Sequence, residues 1–203
     1  MMPAKLLFLP GASGKTDFWV PVANLLKLQA DHVYLEWPGF GSITPDPHIN
    51  SMDDLVERVV AEIDRPCALI AQSMGCIMAI RATLEQPGFV THLVLAVTSG
   101  GMDLQRFGAL NWRPLMYAAN PSFPRWFADY NEDLSCLLPK IQAPTLLLWG
   151  DADPISPVGV GREIASLLPN AKLHIVSGGD HNLAMAHAKE VAPLIDAHLA
   201  NAV

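Results

Sequence analysis

At 203 residues and 22.0 kDa the chain has room for one domain with a full core, or one domain carrying a sizeable insertion. Apolar residues make up 51% and charged residues 16%, against about 25% charged in an ordinary soluble domain, which excludes disorder and low complexity. Twenty acidic against thirteen basic side chains give −7 with no local cluster of Lys and Arg, so a nucleic-acid partner is excluded as well.

From the N-terminus, Leu6 to Leu9 precede Pro10-Gly11, an apolar run too short for a signal peptide. No later stretch reaches the roughly 18 apolar residues that span a bilayer, so a cytoplasmic protein without membrane insertion is expected. Short apolar runs then alternate with amphipathic stretches. Lys5 to Leu9, His32 to Glu36, Cys67 to Ala71, His92 to Val97, Thr145 to Trp149 and Lys172 to Val176 read as six buried strands ended by Gly, Pro or Ser. Between them Phe18 to Gln29, Met52 to Ile63, Met74 to Gln86, Val158 to Leu168 and Leu183 to Ala200 carry helical spacing, with Ser51 and Ser156 placed as caps of the second and fourth. The pattern predicts an α/β three-layer sandwich: a mostly parallel six-stranded sheet with helices on both faces, in one domain over 1–203. Gly100 to Lys140 breaks the alternation with Pro114, Pro121, Pro124 and Pro139. Seven of the fifteen aromatic residues fall in this insertion, Trp112, Phe123, Trp126 and Phe127 among them. It reads as a short apolar helical lid, or as a small helical subdomain packed for stability.

Cys67, Cys76 and Cys136 have no metal-ligand spacing and read as buried thiols. The informative stretch is Cys67 to Cys76, where a buried strand enters a helix through Ala71-Gln72-Ser73-Met74-Gly75. Small residues two positions either side of a serine are what a sharp strand-to-helix turn requires. A serine hydroxyl needs a base to take its proton, and that base needs a carboxylate to orient it. Gly150-Asp151-Ala152-Asp153 follows the fifth strand and Gly178-Gly179-Asp180-His181 the sixth, so parallel strands bring Ser, Asp and His to one sheet edge.

On these motifs the chain resembles the α/β-hydrolase fold family from about Lys5 to Leu199, weakest in the lid. Ala71 departs from the usual Gly-x-Ser-x-Gly by one methyl group. The resemblance implies Ser73 as nucleophile, His181 as base and Asp153 as its carboxylate, in preference to Asp151, which would stabilise the turn. It implies an oxyanion hole from the backbone N–H groups of Ala12 and Met74, with Ser13 nearby and no cofactor. Pro38-Gly39-Phe40-Gly41 resembles the family's Pro-Gly-x-Gly turn. The implied reaction is hydrolysis of a carboxylic ester or thioester of a small to medium apolar acyl group, with Trp112, Phe123, Trp126 and Phe127 lining the substrate pocket. Carbon–carbon bond hydrolysis, acyl transfer or cofactor-free peroxidation on the same three residues, or a hydrolase-like binding protein without turnover, stay open. A carboxylate nucleophile, as in epoxide hydrolases, is excluded because position 73 is Ser.

A competing motif is Gly14-Lys15-Thr16, the tail of a phosphate-binding loop. The first glycine it needs is replaced by Leu9, and no second strand ends in a suitable Asp. The first strand matches the one that leads to the oxyanion loop in the family, so the two strands that usually precede it are expected to be absent. A sheet so trimmed leaves room for an exposed apolar edge that a second subunit, in a homodimer, would cover.

Overall fold

A computed structural model of the chain describes residues 1–201. Six strands, β1 (Lys5–Leu9), β2 (Asp31–Tyr34), β3 (Cys67–Gln72), β4 (Val90–Ala96), β5 (Thr145–Gly150) and β6 (Ala171–Val176), form one sheet in the order β2-β1-β3-β4-β5-β6. Every pair is parallel. Parallel strands need crossovers, and these cover both faces, so β1, β3 and β5 are buried along their whole length. Alternate residues divide the core in two. Leu7, Leu9, Leu69, Ala71, Leu93, Leu95, Leu147 and Trp149 face one cluster. Leu6, Phe8, Ala68, Ile70, Val94, Ala96, Leu146 and Leu148 face the other.

The helices are α1 (Val20–Ala23), α2 (Met52–Ala61), α3 (Gly75–Glu85), α4 (Arg113–Ala119), α5 (Arg125–Ala128), α6 (Val158–Leu167), α7 (Leu183–Ala186) and α8 (Ala188–Leu199). Helix α2 begins as its sequence demands. The Ser51 hydroxyl accepts the Asp54 N–H at 3.1 Å, and the Asp54 carboxylate accepts the Asn50 N–H at 2.8 Å. Its inward stripe is Met52, Leu55, Val56 and Val59. Helix α3, by contrast, is buried almost all round, because it packs beneath both α2 and the loop after β1.

Three expectations are corrected. The helix expected over Phe18 to Gln29 is a 3-10 turn, Thr16–Phe18, followed by the single turn α1. Beyond it the N–H groups of Lys27 and Leu28 donate to the Asp196 carboxylate of α8, a tertiary bond that replaces helical ones. The final helix is broken at His187 into α7 and α8. Ser156 does not cap α6, whose N-cap is Pro157; its hydroxyl is engaged elsewhere.

The insertion over 100–140 contains α4, α5 and two 3-10 turns, Gln105–Phe107 and Leu138–Lys140. Shortness and charge mark the sheet's outer strands. The four residues of β2 begin with Asp31, ion-paired to Arg65, and end with exposed Tyr34. On β6, Lys172 is exposed and His174 meets Glu190 at 3.1 Å. Among the described residues no helix is long and apolar enough to cross a membrane.

Candidate active site

The carboxyl ends of β3, β5 and β6 lie at one edge of the sheet, and each carries one candidate side chain in the turn that follows. After β3 the chain must reverse into α3 within two residues. Ser73 takes a left-handed backbone, φ +53°, which side-chain-bearing residues rarely adopt. The turn is tight enough that a Cβ at Gly75 would run into the Pro10 carbonyl. One at Gly11 would meet the Gln72 amide and lie 3.0 Å from the Ser73 Cβ. Glycine is required at position 75, and at position 11 a side chain would have to displace the Gln72 amide and crowd Ser73, so the loop after β1 lies against Ser73. Ala71 is accommodated, in register with Leu9 and Leu95 and fully buried.

Ser73 Oγ is 3.0 Å from His181 Nε2, and His181 Nδ1 is 2.8 Å from Asp153 Oδ2. An ionised carboxylate only accepts, so Nδ1 carries the proton and the neutral ring leaves its Nε2 lone pair for the Ser73 hydroxyl. Asp153 has no side-chain exposure, and its other oxygen, Oδ1, accepts the N–H groups of Ile155 at 2.8 Å and Ser156 at 3.1 Å. Between the two aspartates of the turn, Asp153 is therefore the one at the imidazole. Asp151 Oδ1 instead accepts the Gly178 N–H at 2.6 Å, tying the β5 turn to the β6 turn. The two turns are packed backbone to backbone: the Ala152 N–H reaches the Gly179 carbonyl at 2.9 Å, and a Cβ at Gly150 would strike that same carbonyl.

Met74 is the N-cap of α3, and Ala12 follows Gly11 beside Ser73. Among the described residues neither N–H has a hydrogen-bond acceptor. Ser13 is exposed and its hydroxyl takes the Lys15 N–H at 3.3 Å. Gly14-Lys15-Thr16 leads into a three-residue 3-10 turn, with no helix N-terminus of useful length for a phosphate. Cys76 offers no rival nucleophile, since burial pushes its thiol up to about 12.

The aromatic residues of the insertion separate into two kinds. Phe123 and Phe127 are buried and stand edge-on to Phe40, with ring centroids 5.4 and 4.8 Å away. Trp112 and Trp126 are half-buried at the margin of that cluster, Trp112 against Phe123 at 6.2 Å and Trp126 against Phe40 at 6.0 Å. Phe40 belongs to the Pro38–Gly41 turn, and its Cβ fills the space where a side chain at Gly14, φ +74°, would stand. The insertion is thus seated on the same turn that backs the loop after β1.

Sequence reasoning missed Gln72 and Ser156. The Gln72 side-chain N–H reaches the His181 carbonyl at 3.5 Å, and Ser156 bonds beneath Asp153. Gln72 carries no local signal, since its partner lies far along the chain; for Ser156 the bond to Asp153 is local, while its hydroxyl meets Trp149 of β5 and Thr98 after β4.

Residues 6–136 match the family described as "Alpha/beta hydrolase family", and 117–188 that described as "alpha/beta hydrolase fold". The chain is 25% identical over 225 residues to "Serine hydrolase BPHL" of Mus musculus, covering 94% of this chain and 77% of that one. It is 22% identical over 230 residues to "Pimeloyl-[acyl-carrier protein] methyl ester esterase" of Legionella pneumophila, covering 94% and 93%. Several other curated relatives are matched only over short segments, 20% to 27% of their own length. A solved hydrolase from Oleispira antarctica superposes with a TM-score of 0.80 over 98% of this chain and 91% of that one, at 18% identity, a likeness of fold.

Proposed function

The chain belongs to the alpha/beta hydrolase family, and from that premise we propose that it is a serine hydrolase cleaving a carboxylic ester or thioester of a small to medium apolar acyl group. The observation that carries this reading is the unbroken run of contacts from Ser73 Oγ through His181 to Asp153, at 3.0 and 2.8 Å.

In the proposed cycle His181 Nε2 takes the Ser73 proton as Oγ attacks the substrate carbonyl carbon. The carbonyl oxygen becomes an oxyanion held by the Ala12 and Met74 N–H groups, the stabilisation such an intermediate needs. The protonated ring then gives its proton to the departing alcohol or thiol, leaving the acyl group on Ser73. Water enters and adds to the acyl carbon as His181 takes its proton, and the second tetrahedral intermediate collapses to the free acid as His181 returns that proton to Ser73 Oγ. Asp153 keeps the Nδ1 tautomer and stabilises the imidazolium in both halves.

The acyl preference rests on the apolar margin of the insertion, which we read as a lid over the edge that carries Ser73. Because Phe123 and Phe127 are interlocked with Phe40, the half-buried Trp112 and Trp126 are the more accessible of the four residues to an acyl chain. A fluorophosphonate probe tests the nucleophile. Wild-type protein is expected to label and Ser73→Ala not to; equal labelling of the two overturns the assignment. Rates against p-nitrophenyl esters of increasing chain length test the acyl class, with a maximum expected at short to medium chains. Absence of turnover on the whole panel by a protein that still labels would point to a carbon–carbon bond or an acyl acceptor instead.

A further inference from the structure

Only two residues other than glycine have positive φ among those described, Ser73 and Val97, and they sit at the ends of the adjacent strands β3 and β4. Ser73 is explained by the turn into α3. Val97, at φ +45°, is β-branched and has no such turn to justify a left-handed backbone. Backbone of this kind persists only where its surroundings hold it there.

What holds it is found across the sheet. The residue after Val97 is Thr98, almost fully buried, whose carbonyl accepts the Ser156 hydroxyl at 2.8 Å. That same hydroxyl accepts the indole N–H of Trp149 at 3.1 Å, and Trp149 is itself fully buried, with Gly161 of α6 closed against its ring. Ser156 thus has its oxygen fixed on two sides, and its own backbone N–H donates to Asp153 Oδ1. β4 lies between the strand that carries Ser73 and the strand that carries Asp153. The strained end of β4 is therefore linked, through the hydroxyl and the backbone N–H of one residue, to the carboxylate beside His181.

We infer that Ser156 is a positioning residue, which fixes the Asp153 carboxylate relative to the ends of β4 and β5 and so sets the alignment of His181 with Ser73. The inference rests on the roles proposed above for Ser73, His181 and Asp153. With both N–H donors aimed at Oδ1, the carboxylate cannot rotate, and Oδ2 stays directed at His181 Nδ1. Removing the hydroxyl frees the segment 153–156 to shift and leaves the Trp149 N–H and Thr98 carbonyl without their partner. Displacements of about 1 Å in such a constellation lower turnover on the order of 100-fold without weakening substrate binding in proportion.

The test compares wild type, Ser156→Ala, Ser156→Thr and Ser156→Cys. For Ser156→Ala, kcat on the best p-nitrophenyl ester should fall roughly 10- to 100-fold with KM within about two-fold. The acid limb of its kcat/KM profile should move to lower pH, because a displaced Asp153 stabilises the imidazolium less. Ser156→Thr, which keeps the hydroxyl, should recover most of kcat. The His181 Nδ1 proton, read by NMR in each folded variant, should lose its downfield position in Ser156→Ala and keep it in Ser156→Thr. If Ser156→Ala does not fold, Ser156→Cys, close in shape and a weaker donor, is expected to show the same changes in smaller degree. A lowered melting temperature with unchanged kcat, pH profile and proton resonance would mean that Ser156 merely packs, and overturns the inference. An inactive wild type refutes the hydrolase reading instead, while the proton resonance still decides whether Ser156 holds Asp153.

Discussion

Asp153 accepts three hydrogen bonds with a carboxylate that has no exposed surface. Asp153→Asn keeps its shape but offers an amide where an acceptor-only group stood, and a ring turned to the wrong tautomer cannot take the Ser73 proton. Ester turnover is expected to fall on the order of 10,000-fold, with little change in KM, as steady-state kinetics would show. Asp151→Ala should cost far less, since the Ala152 N–H still holds the Gly179 carbonyl. At this scale Ser73 and His181 were legible because each is announced by small residues beside it in the chain. Asp153 could only be preferred over Asp151 by motif position, and the choice becomes physical once the two carboxylates are seen to face different partners. Ser156 was misread because a serine before a helix suggests a cap, whereas its partners lie on β4 and β5. Nothing in a valine at position 97 announces left-handed backbone.

Elements were legible where burial alone decides them and illegible where a distant side chain does. The strands could be placed because a parallel sheet covered on both faces leaves continuous apolar runs. The first helix failed because Asp196, far along the chain, captures the N–H groups that a helix would have used. The same α8 carries a second tertiary device. His198 Nε2 donates to the Leu93 carbonyl at 3.1 Å, and its ring stands edge-on to buried His92 at 5.2 Å. A carbonyl only accepts, so His198 Nε2 must be the protonated nitrogen. Burial, with the neighbouring His92, lowers its pKa from 6.5 to about 4. The unfolded chain therefore takes up this proton first as pH falls. Stability should be intact above about pH 6.5 and decline progressively toward pH 4, by up to about 3 kcal/mol for this one group. Urea midpoints across that range would show the decline, and His198→Phe should flatten it. In the insertion, Phe127→Ala removes a ring with no exposed surface and is expected to destabilise by about 3–5 kcal/mol, read in the same urea titration. Loss of activity in that variant would reflect packing before substrate contact.

For the whole molecule, Cys67 and Cys76 lie on β3 and α3 and are buried as expected, while Cys136, also expected to be buried, is exposed in the insertion. Burial pushes the first two thiols up to about 12. A maleimide should therefore label one thiol per native chain, and the other two should become reactive together over the same denaturant range in which helical signal is lost. Graded labelling of Cys67 or Cys76 well before that range would contradict a core that opens as a unit. The layered architecture was legible from alternation alone, because each strand-length run had only one way to bury both faces. The corrected details, a shortened α1 and a last helix in two pieces, leave that architecture unchanged.

The insertion leaves the sheet at the end of β4 and returns at the start of β5, its immediate neighbour. A right-handed crossover between adjacent parallel strands needs only on the order of a dozen residues. Most of the chain between 97 and 144 is thus surplus to topology. Ser73, Asp153 and His181 all lie outside it, on turns bonded directly to one another, to which the insertion adds one hydrogen bond, from the Leu110 N–H to the Pro154 carbonyl at 2.7 Å. Length and composition can consequently drift in this stretch, by substitution or by loss of whole turns, while the reacting groups keep their places. On the proposed reading, proteins built on the same sheet can differ in what they admit to such a serine while keeping what it does.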